Sequence, residues 1–591
     1  EIVGTISSPS SNLELTIDIF EDAITKKLIG ELVVFRYLQD GMPHYSIAQV
    51  IEIELKNVLL EDPTIKSIAR KKGSVNAISN IQDIHIGKIL CGSVFGQGEG
   101  KNSFEQSLLG AVPPTGTTVY RVEDSLLNLL LKEQRDNLFY LGHSYGSKTK
   151  LPMWFRHFGH GTNGAGEAYH LGIFGITGSG KSTLAKMIMT SYAKHPQMGM
   201  LVLDPVGEFA KALSASGDPQ RNSNSTTASS SSSSLSRQNN GEFNLNMKQV
   251  FQNLRKKFQV VNVRNIVLDR WALFSEILSG SKFFQRLTIG GQNKSLAVEA
   301  IQSKLREKDK ITLNRLIERS TFDKVMEHLS SDEIQRQIFA SEEPRKRLKK
   351  VLDEIDRDDL YGNIWKPFCI LFDGKRENAI KVDTLLEKLR DEKSVVVVDL
   401  SMPQDSRTAN MSYWSENVQF LILKRILDGL VDLGEENWHG NSFLNTLVIL
   451  DEAHRFANRE KTENQKLEDL RMKLLDAVRT TRKYGLGWMF LITSLSSIHR
   501  EIIQQLRIVF YGFGLSLGSD LITLKEMVSD PKSIQLYQSF TDPASSFSIA
   551  SRKYSFMTRG PVSPLSFSGA PLFFNAFNFS EEFEKENGLG Q

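Results

Sequence analysis

Five nearly unbroken apolar runs stand out along the chain: HLGIF at residues 170–174, MLVLD at 200–204, SVVVVD at 394–399, TLVIL at 446–450 and WMFLIT at 488–493. Short apolar runs bounded by turn residues and alternating with helical patterns predict a parallel sheet covered on both faces. The first run leads through a glycine loop into a stretch where Leu184, Met187, Ile188 and Tyr192 recur at helical spacing. Residues 1–150 have another texture. LVVFRYL, SIAQVIEIEL and LFYLGHS are short strand-like segments, Ile51 to Leu55 alternate apolar with acidic, and Gly41, Pro43, Pro113, Pro114 and Gly116 punctuate them. The pattern predicts a small β-barrel over 1–150 with a helix around 123–134.

Between the second and third apolar runs lies an insertion. Residues 214–242 are serine-rich and bury too little apolar surface to fold, so they are expected to form a loose loop. Residues 243–390 carry helical periodicity with dense mixed charge, which predicts a small helical subdomain. The expected fold is thus α/β: an N-terminal barrel, a RecA-like P-loop core split between 151–213 and 391–560, the helical insertion between them, and a C-terminal strand and tail at 561–591.

Composition changes this picture little. The chain has 591 residues, 40% hydrophobic and 24% charged, which suits several globular domains. A net charge of +3 excludes an overall basic field, so any nucleic-acid contact has to come from local patches. The basic run Arg345, Lys346, Arg347, Lys349 and Lys350 is interleaved with Glu342, Glu343, Asp353 and Glu354, which favours a solvated helix face over a DNA contact. Two cysteines, Cys91 and Cys369, cannot build a disulfide framework. With no apolar run of 18 residues, the expectation is a cytoplasmic protein without a membrane partner.

The chemistry concentrates at few positions. Gly175, Ile176, Thr177, Gly178, Ser179, Gly180, Lys181 and Ser182 fit G-x-x-x-x-G-K-[ST], with Thr183 next. Such a loop curls backbone N–H groups inward at the positive end of a helix and so cradles phosphates. Lys181 is expected on the β- and γ-phosphates of ATP and the Ser182 hydroxyl on Mg²⁺. At the end of TLVIL stand Asp451, expected in the Mg²⁺ shell, and Glu452, expected to orient or deprotonate the attacking water. RTTRKYGLG supplies Arg479, Arg482 and Lys483. These cations precede Gly485 near a helix C-terminus, whose dipole they could complement.

The order of barrel, GITGSGKST, LVLDPVGEF, helical insertion, VVVVDLS, LVILDEAHRF, RTTRKYGLG and GPVSPLSFSGAPLFF resembles HerA, the DNA-translocating ATPase family related to FtsK. The resemblance implies a homo-hexamer with ATP sites between subunits, duplex DNA through the pore, and a partner: a NurA-like nuclease, or a sirtuin-type or other nuclease effector in antiphage defence. Its glycine-flanked Arg-Lys segment, matched by RKYG, makes Arg482 the first candidate for a cation lent to a neighbouring subunit's ATP and Lys483 the second. The family usually ends the strand matched by WMFLITS on a polar pair closing with glutamine. Here Thr493 is followed by Ser494, with Thr493 left as the candidate γ-phosphate or water contact. The expected function is an ATP-dependent duplex-DNA translocase or helicase in DNA end processing or antiphage defence. The alternative is an ATP-regulated ring scaffold that activates a nuclease or NAD-consuming effector. Three other matches are set aside: GHSYG lacks the helix a nucleophile elbow needs and reads as a turn, LTIGGQNKS lies far from the acidic strand, and His157, His160 and His170 lack metal-ligand company.

Overall fold

A computed structural model of the chain describes residues 1–12, 14–72, 82–98, 103–161, 163–214, 243–401 and 415–590. The serine-rich stretch, apart from Ser214, lies outside the described residues.

The N-terminal strands are β1 Ile2–Ile6, β2 Leu15–Ile19, β3 Leu32–Gln39, β4 Met42–Lys56, β5 Ile84–Gln97, β6 Phe104–Ser107 and β7 Thr118–Arg121. They pair in the order β2-β1-β7-β3-β4-β5-β6, and an added β2–β5 pairing closes the first six into a barrel with no free edge. Its interior is filled by residues such as Val3, Ile17, Val33, Phe35, Val50, Ile89 and Val119. The alternation at Ile51 to Leu55 falls at the outer end of β4, where Glu52 and Glu54 meet Lys88 at 3.2 and 3.3 Å.

The barrel is shorter than the sequence pattern suggested. β8 Phe139–Ser144 and β9 Lys150–Met153 belong to the second sheet, preceded by a helix at Asp124–Leu130. That sheet continues with β10 Leu171–Phe174, β11 Gly199–Asp204 and β12 Phe258–Asn262. The minor parallel pair β13 Ile266–Val267 and β14 Ile380–Lys381 stands apart, inside the insertion. Then come β15 Val395–Asp399, β16 Thr446–Leu450, β17 Leu486–Ile492, β18 Ile508–Tyr511, β19 Ser555–Arg559 and β20 Leu572–Ala576. The order is β12-β15-β11-β16-β17-β10-β18-β19-β20-β8-β9. From β12 to β18 every pairing is parallel. From β18 to β9 every pairing is antiparallel.

This is the expected RecA-like arrangement, with two boundaries moved. β12 was assigned to the helical insertion yet adds a strand to the core edge, because Val260 and Val261 pair with Val397 and Val398. The tail assigned to 561–591 places β20 inside the sheet, between β19 and β8. The remaining insertion is helical around an aromatic cluster in which Phe274, Phe283, Phe322 and Phe368 surround Trp365. It is tied to the core by Arg425, on the long helix Glu416–His439, which grips Asp269 through two bonds of 2.9 and 3.0 Å and Asp383 at 2.7 Å. On the helix Glu342–Glu354 only Leu348 and Leu352 are buried, and Lys346 and Lys350 pair with Glu342 and Glu354 one turn away. That is a solvated face.

One buried side chain joins the two sheets. The Gln49 amide on β4 donates to Gly30 O (2.7 Å), Ser144 Oγ (3.0 Å) and Phe573 O (2.8 Å), and accepts from Phe573 N (2.9 Å). Gln49→Leu would strand the Phe573 N–H on β20, while the Phe573 carbonyl keeps the Tyr145 N–H at 2.9 Å. The loss is expected at about 1–3 kcal/mol, that of one buried group left without a partner. Hydrogen exchange at the peptide containing Phe573 should accelerate accordingly; unchanged protection would show that the barrel is held elsewhere.

Candidate nucleotide-binding site

The apolar strand β10 is wholly buried between β17 and β18, and its register aligns Phe174 with Ile492 and Tyr511. The three strands therefore end together, and the chain leaves β10 into residues 175–180 before the helix Lys181–Ala193 begins. The loop needs glycine where it has it. Gly178 and Gly180 have φ of 83° and 91°, which side-chain-bearing residues rarely adopt, and at Gly178 a side chain would meet open space. Ile176 and Thr177 are exposed beside it, and Ser182 and Thr183 are half-buried in the first helical turn.

Two polar side chains of the loop are buried: Ser179 and Lys181. Lys181, 8% exposed, folds its ammonium back onto the loop carbonyls of Gly175 (2.8 Å) and Ile176 (3.1 Å). Burial pushes its pKa down, opposed by the charges of Glu452, Asp451 and Glu208. The Ser179 hydroxyl is buried with no hydrogen-bond partner. A buried orphan hydroxyl, a lysine satisfied only by its own loop and the N–H groups of a 13-residue helix fit a bound phosphate chain.

Asp451 follows β16, one strand beyond β17. It is 5% exposed, and its carboxylate accepts from the Glu452 N–H at 2.9 Å. Burial, and then the neighbouring Glu452 charge, raise its pKa to about 7. Such a carboxylate is destabilised in its charged form, and a divalent cation would relieve it. Asp451 with the Ser182 hydroxyl thus fits the donor set for Mg²⁺. Glu452 has φ of 45°, the left-handed conformation that costs a non-glycine residue roughly 1–2 kcal/mol. Its carboxylate stands 3.3 Å from His454 Nδ1.

The sequence reading passed over the supports of this site. Asp204, at the end of β11, is fully buried and accepts from the N–H groups of Gly207 (2.8 Å), Glu208 (3.2 Å) and Ala210 (2.9 Å). This capped turn places Glu208, which pairs with Lys186 of the loop's helix at 2.7 Å. The signal was present in DPVGEF, an aspartate three residues before a glycine at the end of an apolar run. Asp520 gave no such signal. It lies on the helix Gly518–Met527 and accepts from Ser494 Oγ at 2.8 Å and the Ser496 N–H at 2.7 Å. Ser494 is thereby engaged, while Thr493, half-buried, stands beside it at the same strand end.

Arg482 is elsewhere. It precedes β17, next to the start of β10, where Ala168 N–H donates to its carbonyl. At about 3.3 Å per residue, a strand as long as Leu486–Ile492 separates it from Thr493 by roughly 20 Å. Its guanidinium lies 3.5 Å from Glu167, which also binds Arg507 at 3.0 Å. With Arg500 and Arg559 these arginines line a cleft of about 660 Å³. Arg479 pairs with Asp476 at 3.0 Å, and Lys483 lies over the Tyr484 ring. Of the three histidines, His170 is buried between Val478 O and the Trp488 N–H, and burial depresses its pKa to about 4. His160 packs edge-on against Phe443 and His157 against His195. GHSYG is the end of β8 and the turn after it.

Residues 168–427 match the family model described as the central domain of the helicase HerA. No curated protein matches the chain. Solved structures similar to it include VirB4 of Thermoanaerobacter pseudethanolicus, 12% identical, covering 74% of this chain and 96% of that one at a TM-score of 0.35. The bacterial conjugative coupling protein TrwB is 14% identical, covering 78% and 90% at 0.31. The genome packaging NTPase B204 from Sulfolobus turreted icosahedral virus 2, in complex with AMPPCP, is 8% identical, covering 69% and 98% at 0.26. Likenesses at this level add nothing to the geometry of the site.

The charge balance at Asp451 is open to measurement. An infrared titration of the nucleotide-free protein should show a carboxyl group ionising near pH 7. In Glu452→Gln, without the adjacent negative charge, the same group should ionise at lower pH. An unchanged midpoint in that variant would mean that the two carboxylates do not interact.

Proposed function

We propose that this chain, whose residues 168–427 make it a member of the HerA family, hydrolyses Mg²⁺·ATP between the subunits of a six-membered ring and moves duplex DNA through it. That it is a P-loop NTPase stands on the family match and on the loop, helix and acidic strand end described above. The ring, the DNA and the roles of single residues are the proposal. One observation carries it: Arg482 lies at the sheet edge opposite the phosphate loop, so it can serve an ATP only if that ATP belongs to another subunit.

In this reading Lys181 exchanges the carbonyls of Gly175 and Ile176 for the β- and γ-phosphates. The N–H groups of Gly178, Ser179 and Gly180 and the helix N-terminus neutralise the phosphate charge, joined by the Ser179 hydroxyl. Ser182 and Asp451 would hold Mg²⁺, which would supply neutralisation of the triphosphate charge. Glu452, held in its left-handed conformation, orients the attacking water and takes its proton. Thr493 meets the γ-phosphate from the strand between the loop and the acids. The neighbour's Arg482 stabilises the transition-state charge, a contribution on the order of 10³–10⁵ in rate in enzymes of this kind. The barrel, which takes no part in the ATP site, is assigned to a nuclease or other effector partner, in DNA end processing or antiphage defence.

A second reading has an observation of its own. Ser494, where a glutamine is usual, is bound to Asp520 and leaves Thr493 as the polar group at that strand end. This favours slow turnover and an ATP-regulated scaffold for the effector. ATP hydrolysis measured with and without long linear duplex DNA, beside Lys181→Ala, separates the two. Strong stimulation that disappears in Lys181→Ala supports the motor; a rate at the Lys181→Ala level with or without DNA supports the scaffold.

The trans placement of Arg482 is tested by mixing. Arg482→Ala and Glu452→Gln are each expected to lose at least 100-fold in turnover. Co-assembled, they should regain activity, because some interfaces then join an intact Glu452 to an intact Arg482. Absence of recovery in rings shown to contain both variants would remove Arg482 from the neighbour's site.

A further inference from the structure

A nucleotide whose phosphates fill the loop has to lay its base along the same sheet edge. The antiparallel return of β19 beside β18 brings the chain back to that edge. Tyr511, the last residue of β18, pairs with Met557, so Ser555 and Tyr554 extend beyond the end of β18 on the side of the loop. There the Tyr554 ring rests on the loop itself: a Cβ built at Gly180 would lie 2.8 and 3.1 Å from its Cδ1 and Cγ. Only glycine at the last position before Lys181 admits the ring.

The position of Tyr554 is fixed by its backbone. Its carbonyl accepts from the Ala576 N–H at 2.9 Å, and Ser555 Oγ donates to Asn575 at 2.8 Å. Phe556, two residues on, is fully buried and stacked on Phe574. Tyr554 is only half-buried, packed on the core along one side and open on the other. Arg552 and Lys553 precede it. A rigidly held, half-exposed aromatic ring touching the phosphate loop is a stacking platform for a flat base, and tyrosine offers that surface at little entropic cost.

We infer that Tyr554 carries the base of the bound nucleoside triphosphate and separates it in affinity from a bare triphosphate. The inference rests on the reading of residues 175–183 as the nucleotide site. Calorimetric titration of the full chain with Mg²⁺·ATP and with inorganic triphosphate tests it, using wild type, Tyr554→Leu, Tyr554→Phe and Lys181→Ala. Leucine keeps a side chain packed near Gly180 without a π-face. Tyr554→Leu is expected to weaken ATP about 10-fold and triphosphate less than about 2-fold, and Tyr554→Phe to keep wild-type affinity for both. Equal weakening of both ligands by Tyr554→Leu would reduce Tyr554 to a prop of the loop and overturn the inference. Unchanged ATP affinity in Tyr554→Leu would overturn it as well, with the site itself left standing. If wild type and Lys181→Ala bound ATP equally poorly, the nucleotide site would fall and the inference with it.

Discussion

In-register parallel pairing at one place in the sheet is the constraint on which the rest depends. β10 has a strand on each side, and Phe174, Ile492 and Tyr511 end level. On the other side of β17, Leu450 pairs with Phe490, so Asp451 emerges at the same edge. A one-residue slip of any of these strands would turn its side chains to the opposite face of a sheet buried on both sides, which the continuous apolar runs forbid. The loop, Thr493 and the two acids therefore converge because hydrophobic burial fixes the register, without any contact among the polar groups having to specify it.

Convergence has an electrostatic cost. Lys181 and Asp451 are both buried, and each is pushed towards its neutral form. Among the described residues neither has a partner of opposite charge within ion-pair distance; the lysine is turned to loop carbonyls and the aspartate to a backbone N–H. Packing elsewhere sustains this, including Asp204 under its turn and the Glu208–Lys186 pair that braces the loop's helix from outside. A site so arranged gains most from a ligand that brings both an anion and a cation. Magnesium with a triphosphate is such a ligand.

What the sequence made legible was local. The loop, Lys181 and Ser182 fall within eight residues, and Asp451 and Glu452 close an apolar run, so spacing alone exposed them. Membership of a sheet is a long-range property and was misread at its margins. FYLGHS alternates as barrel strands do, yet β8 pairs with β20, more than 400 residues away. FQVVN sits among helical segments and still completes the core edge. Arg482 was picked out by the likeness of RKYG to the family's glycine-flanked Arg-Lys segment, but its distance from the loop follows from which end of β17 it precedes. Tyr554 and Asp520 left no pattern, since each matters through one contact made by the returning chain.

Ser494, at a position where the family resemblance leads one to expect glutamine, shows how such a contact alters the reading of a residue. A serine hydroxyl cannot span what a glutamine amide spans, and on sequence alone the position looks emptied. In the fold the aspartate comes to the serine: Asp520 accepts from Ser494 and from the Ser496 N–H with the same oxygen. Its helix, Gly518–Met527, follows β18, the other neighbour of β10, and carries Ile522 exposed to solvent. The strand end that carries Thr493 is thus bonded to an element beyond the opposite side of the loop. Any displacement of Thr493 has to be absorbed by stretching the Ser494–Asp520 bond or by moving that helix.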